Sequence, residues 1–81
     1  MPENLDKLKT AFAEALALPP DIQYDGIEYG KTEGWDSVAH MALIAQIEGA
    51  FDVMLDSDEV VGLSGFLEAQ KILAKHGVLF A

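Results

Sequence analysis

Apolar residues in the first part of the chain recur at steps of three and four positions. Residues with this spacing are Leu5, Leu8, Ala11, Phe12, Ala15 and Leu16. The pattern predicts an amphipathic helix with one buried face. Pro19 and Pro20 follow it. Because proline lacks an N–H donor and disfavours helical angles in the residue before it, the pair predicts the end of this first helix.

The next segment, residues 21–36, has no helical period but retains spaced apolar residues: Ile22, Tyr24, Ile27, Tyr29 and Trp35. Structureless loops of this length are uncommon in compact domains, and the apolar residues argue against disorder. We therefore expect a long ordered loop with Ile22, Ile27 and Trp35 in the core. A second role for Trp35, contact with a partner or with a group attached next to it, stays open.

Asp36 and Ser37 mark the start of a second helix over Ser37–Ala50. Asp36 is a preferred N-cap residue, and residues 38–48 contain neither proline nor glycine. Ser37 then falls in the first helical turn, where backbone N–H groups lack intrahelical partners and the helix dipole presents its positive end. Such a position suits a phosphate ester on the serine hydroxyl.

This helix has two apolar stripes. The larger residues Leu43, Ile44, Ile47 and Phe51 fit a core face, and the second stripe consists of Val38, Met41, Ala42 and Ala45. A helix of a small bundle is not easily buried all round, so we expect the second stripe to be partly exposed and to be a candidate docking surface. Packing of Met41 in the core is an equally good interpretation.

The last third of the chain predicts two more helices. Asp56, followed three residues later by Glu59, resembles a capping box and predicts a short third helix through Val61. Ser64 is the expected N-cap of a fourth helix that ends at Gly77, and residues 78–81 form an apolar tail that folds back or frays. The predicted fold is an all-α, antiparallel four-helix bundle of three longer helices and one short third helix, in a single domain over residues 1–81.

The charge is strongly acidic. The 81 residues include 14 Asp and Glu, five Lys and no Arg, for a formal net charge of −9. Such a surface repels nucleic acids and anionic lipids and favours basic partner surfaces, although solubility alone also explains it. With no cysteine, and with His40 and His76 far apart in sequence, neither a thiolate nucleophile nor a metal site is expected.

Segments that would target a membrane are also missing from the sequence. No apolar run is long enough to cross a bilayer, and residues 1–4 lack the features of a signal peptide. We therefore expect a cytoplasmic, freestanding protein without membrane insertion.

Asp36, Ser37 and Val38 resemble the Asp-Ser-Leu-like motif of the acyl carrier proteins, with Val38 in place of the usual leucine. The resemblance continues through Ile44, Ile47-Glu48 and Phe51, then from Asp56 to Leu63, and through the last helix, so it spans nearly the whole chain. It implies a 4′-phosphopantetheine arm on Ser37, and a protein that carries an acyl group as a thioester and is not itself a catalyst.

The resemblance also implies partners and further site residues. A phosphopantetheinyl transferase would attach the arm with the help of Mg²⁺. During this step Asp36 would either contact the metal ion or only cap the helix. An acyl ligase or acyltransferase and downstream synthase enzymes of fatty acid, polyketide or other biosynthesis would then bind a monomer. The residues expected to meet partners are Val38, Met41, Ala42, Ala45 and Glu48. Those expected to line an acyl groove are Leu43, Ile47, Val61 and Leu63.

One departure from the family narrows the expected pathway. Ala42 and Gly49 stand where acidic residues are typical of fatty acid carriers, and Glu48 is the only acid in the second helix after Asp36. This favours a dedicated pathway over general fatty acid synthesis. Two alternatives stay open: a peptidyl or aminoacyl carrier of a nonribosomal pathway, and an arm-free acidic interaction module. A small hydrolase has little support, because only His40 lies within about one turn of Ser37.

Overall fold

The computed structural model describes residues 3–19 and 22–80, and over these ranges the secondary structure is helical. The α-helices are α1 (Glu3–Leu16), α2 (Ser37–Phe51), α3 (Ser57–Gly62) and α4 (Phe66–Lys75), and a short 3₁₀ helix covers Tyr24–Gly26. The predicted all-helical class is confirmed. None of the described helices is both long and apolar enough to cross a membrane. Pro20 and Ala81, which entered the predictions for the end of α1 and for the tail, lie outside the described residues.

The end of α1 differs from the prediction. The helix stops at Leu16, and Ala17 adopts a left-handed conformation with φ of 53°. The N–H of Leu18 then donates to the carbonyl of Ala13 at 3.2 Å, which is the closing hydrogen bond of a Schellman motif. The helix therefore ends through its own C-terminal turn before Pro19 is reached.

Two other helices close in the same way. Asp52 follows α2 with φ of 54°, and Gly77 follows α4 with φ of 86°. Only Gly77, the expected left-handed residue, could be predicted from residue type, because a left-handed conformation is costly for residues with a Cβ. At Ala17 and Asp52 the surrounding structure must offset that cost.

The connection between α1 and α2 is anchored at Ile27 and Trp35, which are both buried as expected, and Ile22 is half-buried. Gly34 lies against the end of α1 with φ of 88°, and a Cβ there would come within 3.1 Å of the Leu16 carbonyl oxygen. Both its backbone conformation and its close approach to α1 therefore require glycine.

The core lies mainly between α1 and α2, with α4 and the first connection packed around it. Its buried members are Leu8, Ala11, Phe12, Leu16, Ile27, Trp35, Leu43, Ile44, Ile47, Leu63, Phe66, Ala69, Ile72 and Leu73. The Phe12 ring is at its centre, with edge-on contacts to Trp35 at 5.5 Å and to Phe66 at 5.1 Å. The radius of gyration of 11.4 Å is close to the roughly 11.7 Å expected for a compact chain of this length.

The start of α3 follows the prediction and the start of α4 does not. Asp56 and Glu59 form the complete capping box, with side-chain to backbone distances of 2.8 and 3.1 Å. The N-cap of α4, however, is Gly65 and not Ser64. The Ser64 carbonyl accepts a hydrogen bond from the N–H of Tyr29 at 2.9 Å. This contact with the first connection accompanies a helix start one residue later, at Gly65. A Cβ at Gly65 would lie 3.3 Å from the Ile27 carbonyl oxygen.

The described part of the tail, residues 78–80, folds back on the domain. Val78 and Phe80 pack against the core, and the Phe80 ring lies 6.2 Å from that of Phe51. The side-chain amide of Asn4 donates to the Leu79 carbonyl at 2.9 Å, which connects the tail to α1. Of the two alternatives expected for this segment, the structure therefore selects docking.

Candidate functional site

Ser37 is the first residue of α2 and its side chain is exposed. Asp36 precedes it in an extended conformation, and the Asp36 carboxylate accepts a hydrogen bond from the N–H of Ala39 at 2.9 Å. The N–H of His40 donates to the Asp36 carbonyl at 2.8 Å, which is the first bond of the helical series. The predicted N-cap and the predicted position of Ser37 in the first turn are both confirmed.

This local geometry suits an anionic group on the Ser37 hydroxyl. In a capped helix the amides of the first two residues, here Ser37 and Val38, have no intrahelical acceptor, and the helix dipole adds positive potential at the same point. Val38 is 78% exposed, so the space beside the hydroxyl is open to solvent. A phosphate ester therefore fits this position electrostatically and sterically.

His40, one turn after Ser37, is not available as a base for that hydroxyl, because both ring nitrogens have other partners. Its Nδ1 accepts a hydrogen bond from the Trp35 indole N–H at 3.0 Å. Its Nε2 lies 2.8 Å from the Val60 carbonyl oxygen of α3. Both contacts are made within the domain, to the first connection and to α3.

Sequence reasoning missed this bridge between Trp35, His40 and Val60. A signal for part of it was present, because a buried indole N–H needs an acceptor and His40 lies five residues after Trp35. The carbonyl of Val60, twenty residues further along, could not be identified from the sequence. The burial of Trp35, which is 2% exposed, also removes its alternative role as a surface residue that meets partners.

The outer stripe of α2 is exposed. Val38 is 78% and Met41 57% exposed, and Ala42 and Ala45 are also open to solvent. Met41 is therefore not a core residue, which decides between its two interpretations. The role of this stripe as a docking surface stays a prediction.

The residues predicted to line an acyl groove do not share one surface. Leu43, Ile47 and Leu63 are fully buried in the core, whereas Val61 is 82% exposed. The capping box starts α3 in a register that packs Val60 against the core, and Val61, about 100° further around the helix, then faces solvent. Val61 therefore lies apart from the other three side chains, which form closed packing in the core, and the acyl groove stays a prediction.

Glu48, predicted to meet partners, makes an internal contact. Its carboxylate accepts a hydrogen bond from the N–H of Leu55 at 3.0 Å, and the residue is half-buried. It therefore stabilises the connection between α2 and α3. Its availability to a partner is correspondingly reduced.

A second carboxylate, Glu59, connects α3 to the end of α4. Its oxygens lie 3.0 Å from Nε2 of His76. The backbone N–H of Asp56 and, to a smaller extent, His76 lower the pKa of Glu59 below its ordinary value of 4.5. In residues 3–19 and 22–80 no group of three or more His, Asp or Glu side chains is arranged to hold a metal ion.

No family model matches this chain, and neither a curated protein nor a solved structure matches it. The resemblance to the acyl carrier proteins therefore depends on the residues quoted from the sequence.

Proposed function

We propose that this protein carries an acyl group as a thioester on a 4′-phosphopantetheine arm attached to Ser37. The observation that supports this best is the exposed Ser37 hydroxyl at the first position of α2, directly after the Asp36 cap. The arm would supply a flexible thiol to a chain that has no cysteine of its own. In this proposal the protein presents the acyl group to enzymes and catalyses no step itself.

The residues around Ser37 have distinct roles in the proposal. Asp36 caps α2 and so sets the position of the hydroxyl for a phosphopantetheinyl transferase, which takes the arm from coenzyme A with Mg²⁺. The amides of Ser37 and Val38 and the helix dipole then stabilise the negative charge of the phosphodiester. A contact between Asp36 and the metal during attachment is the additional role that the family resemblance suggests.

The exposed stripe of Val38, Met41, Ala42 and Ala45 is the proposed docking surface for the loading enzyme and for later enzymes. It adjoins Ser37 on the same helix, and the flexible thioether of Met41 can adapt to more than one partner. No acid lies between Asp36 and Glu48. We therefore favour partners of a dedicated pathway that recognise an apolar surface. The proposal includes an antiparallel arrangement of the helices around an ordered first loop, a monomeric state and a cytoplasmic location.

The proposal is tested by the intact mass of the protein before and after incubation with coenzyme A, Mg²⁺ and a broad-specificity phosphopantetheinyl transferase. One arm should be added to the wild type and none to Ser37→Ala. The chain offers a matched control, because Asp56-Ser57 repeats the pair of a capping aspartate and an exposed serine at the start of α3. Ser57→Ala should still gain the arm. Addition to Ser37→Ala would show that the site is wrong.

The same experiment separates the alternatives. The net charge of −9 also suits an arm-free module that binds a basic protein, and for such a module the mass of well-folded protein stays unchanged. If the arm is added, the acids that a loading enzyme transfers to it distinguish an acyl carrier from a peptidyl or aminoacyl carrier.

A further inference from the structure

The imidazole of His40 joins three parts of the domain. His40 belongs to α2. Its ring accepts a hydrogen bond from the indole N–H of Trp35, near the end of the first connection, and donates one to the Val60 carbonyl of α3. We propose that this His40 bridge is a pH-sensitive contact, in which neutral His40 holds α3 against α2 and protonated His40 releases it. The proposal concerns the protein without any arm and does not depend on the function proposed above.

The partners of His40 determine which ring nitrogen carries the proton. An indole nitrogen is only a donor, so Nδ1 of His40 must be the unprotonated acceptor at 3.0 Å. A carbonyl oxygen is only an acceptor, so Nε2 must carry the hydrogen at 2.8 Å from Val60. The neutral tautomer with hydrogen on Nε2 therefore satisfies both contacts, and no other protonation state does.

The contact with Val60 replaces a hydrogen bond that α3 cannot make itself. In a longer helix the Val60 carbonyl would accept from the N–H of residue 64, but α3 ends at Gly62, and the N–H of Ser64 donates to the Gly62 carbonyl instead. His40 supplies the missing donor. The contact therefore joins the six-residue α3 directly to α2.

Protonation would place two donors against each other. A hydrogen on Nδ1 of His40 would point at the N–H of Trp35, and Trp35 is 2% exposed, so its N–H has no access to water as a substitute acceptor. Relief requires movement of the imidazole, and this breaks its bond to Val60.

None of the titratable groups on the elements around His40 forms an ion pair with it in the described residues. Tyr29 of the first connection lies with its ring 5.1 Å from the imidazole. On α2 the Asp36 carboxylate caps Ala39, and on α3 Glu59 is paired with His76. The ion pairs in the described residues are Lys31 with Glu28 and His76 with Glu59, and neither includes His40.

Trp35 allows a direct test, because it is the single tryptophan of the chain. Its emission would be followed from about pH 8 to about pH 5, the range in which histidine ordinarily titrates. We expect a change in wild type and in His76→Gln, and none in His40→Gln, whose amide can donate to Val60 but does not titrate. The proposal would be overturned if the emission of the wild type did not change with pH, or if His40→Gln showed the same change as the wild type. It would also be overturned if His76→Gln lost the change.

Amide hydrogen exchange in α3 supplies a second readout that does not use fluorescence. After correction for the intrinsic rate, exchange at Val60 should become about tenfold faster at the acidic end, as expected for loss of one hydrogen bond. Trp35→Phe removes the opposing donor but leaves the bond between His40 and Val60. Amide exchange at Val60 in Trp35→Phe should therefore depend little on pH. A full pH response of this exchange rate would overturn the proposal, and this test holds even if His40→Gln does not fold.

Discussion

The two faces of α2 are both apolar, but one is buried and the other is exposed to solvent. On the inner face Leu43 and Ile47 have no exposed surface, whereas on the outer face Val38 and Met41 are 78% and 57% exposed. Both faces begin at the same cap, next to Ser37. The difference shows that an apolar pattern marks a surface that can be buried, while the neighbours of the helix decide whether it is.

On α2, stability and the proposed docking therefore involve different faces. The inner face packs against α1 and should account for stability, while the outer face packs against nothing in the described domain and can bind partners.

Leu43→Ala should have the largest effect. Removal of a fully buried leucine side chain leaves a cavity and should lower the free energy of unfolding by about 2–5 kcal/mol. Met41→Ala, on the outer face of the same helix, is the matched control and should change it by less than about 0.5 kcal/mol. Chemical denaturation of both variants measures the difference, and equal losses would contradict the division into two faces.

Asp36→Ala tests the point at which both faces begin. Loss of the N-cap should lower the free energy of unfolding by about 1 kcal/mol, since the N–H of Ala39 loses its acceptor.

Asp36→Asn separates the two roles considered for Asp36, because asparagine caps equally well but binds a metal ion less strongly. Its stability should equal that of wild type. If Asp36 also contacts Mg²⁺, the transferase should modify this variant more slowly. Equal rates for Asp36→Asn and wild type would leave capping as its only role.

Glu59 offers a test on α3, outside both faces. Because its pKa is lowered in the folded state, the charged carboxylate stabilises the fold above its ordinary pKa of 4.5, and this contribution is lost as the pH falls through the lower folded-state value. The difference in stability between wild type and Glu59→Gln should therefore be present at neutral pH and shrink in acid. Thermal unfolding at a series of pH values measures it, and a difference that grows in acid would show the sign to be wrong.

The double variant Val38→Gln with Met41→Gln should change the free energy of unfolding by no more than about 0.5 kcal/mol, because both positions are exposed. It should still gain the arm at Ser37 in the intact-mass assay. Transfer of the acyl group by the loading enzyme should nevertheless become slower. Unchanged transfer kinetics would remove the outer face from the proposed docking surface.

The correctly predicted helix caps depend on neighbouring residues. Asp36 accepts from an N–H three residues away, and Asp56 and Glu59 satisfy each other across a single turn. Ser64 failed as a cap because Tyr29, distant in sequence, uses its carbonyl. Val61 was expected to line the acyl groove, and only the register of α3 shows that Val60 packs against the core while Val61 is exposed.

The sequence by itself determined the helices, their N-terminal caps at α2 and α3, and the exposed position of Ser37 after Asp36. These features depend on hydrogen bonds and periodicity within one or two turns, which are local properties of the chain. The tertiary structure decided that Met41 lies outside the core, where α4 begins, and that His40 connects Trp35 to Val60. These features depend on contacts between segments far apart in sequence, and only packing brings such segments together.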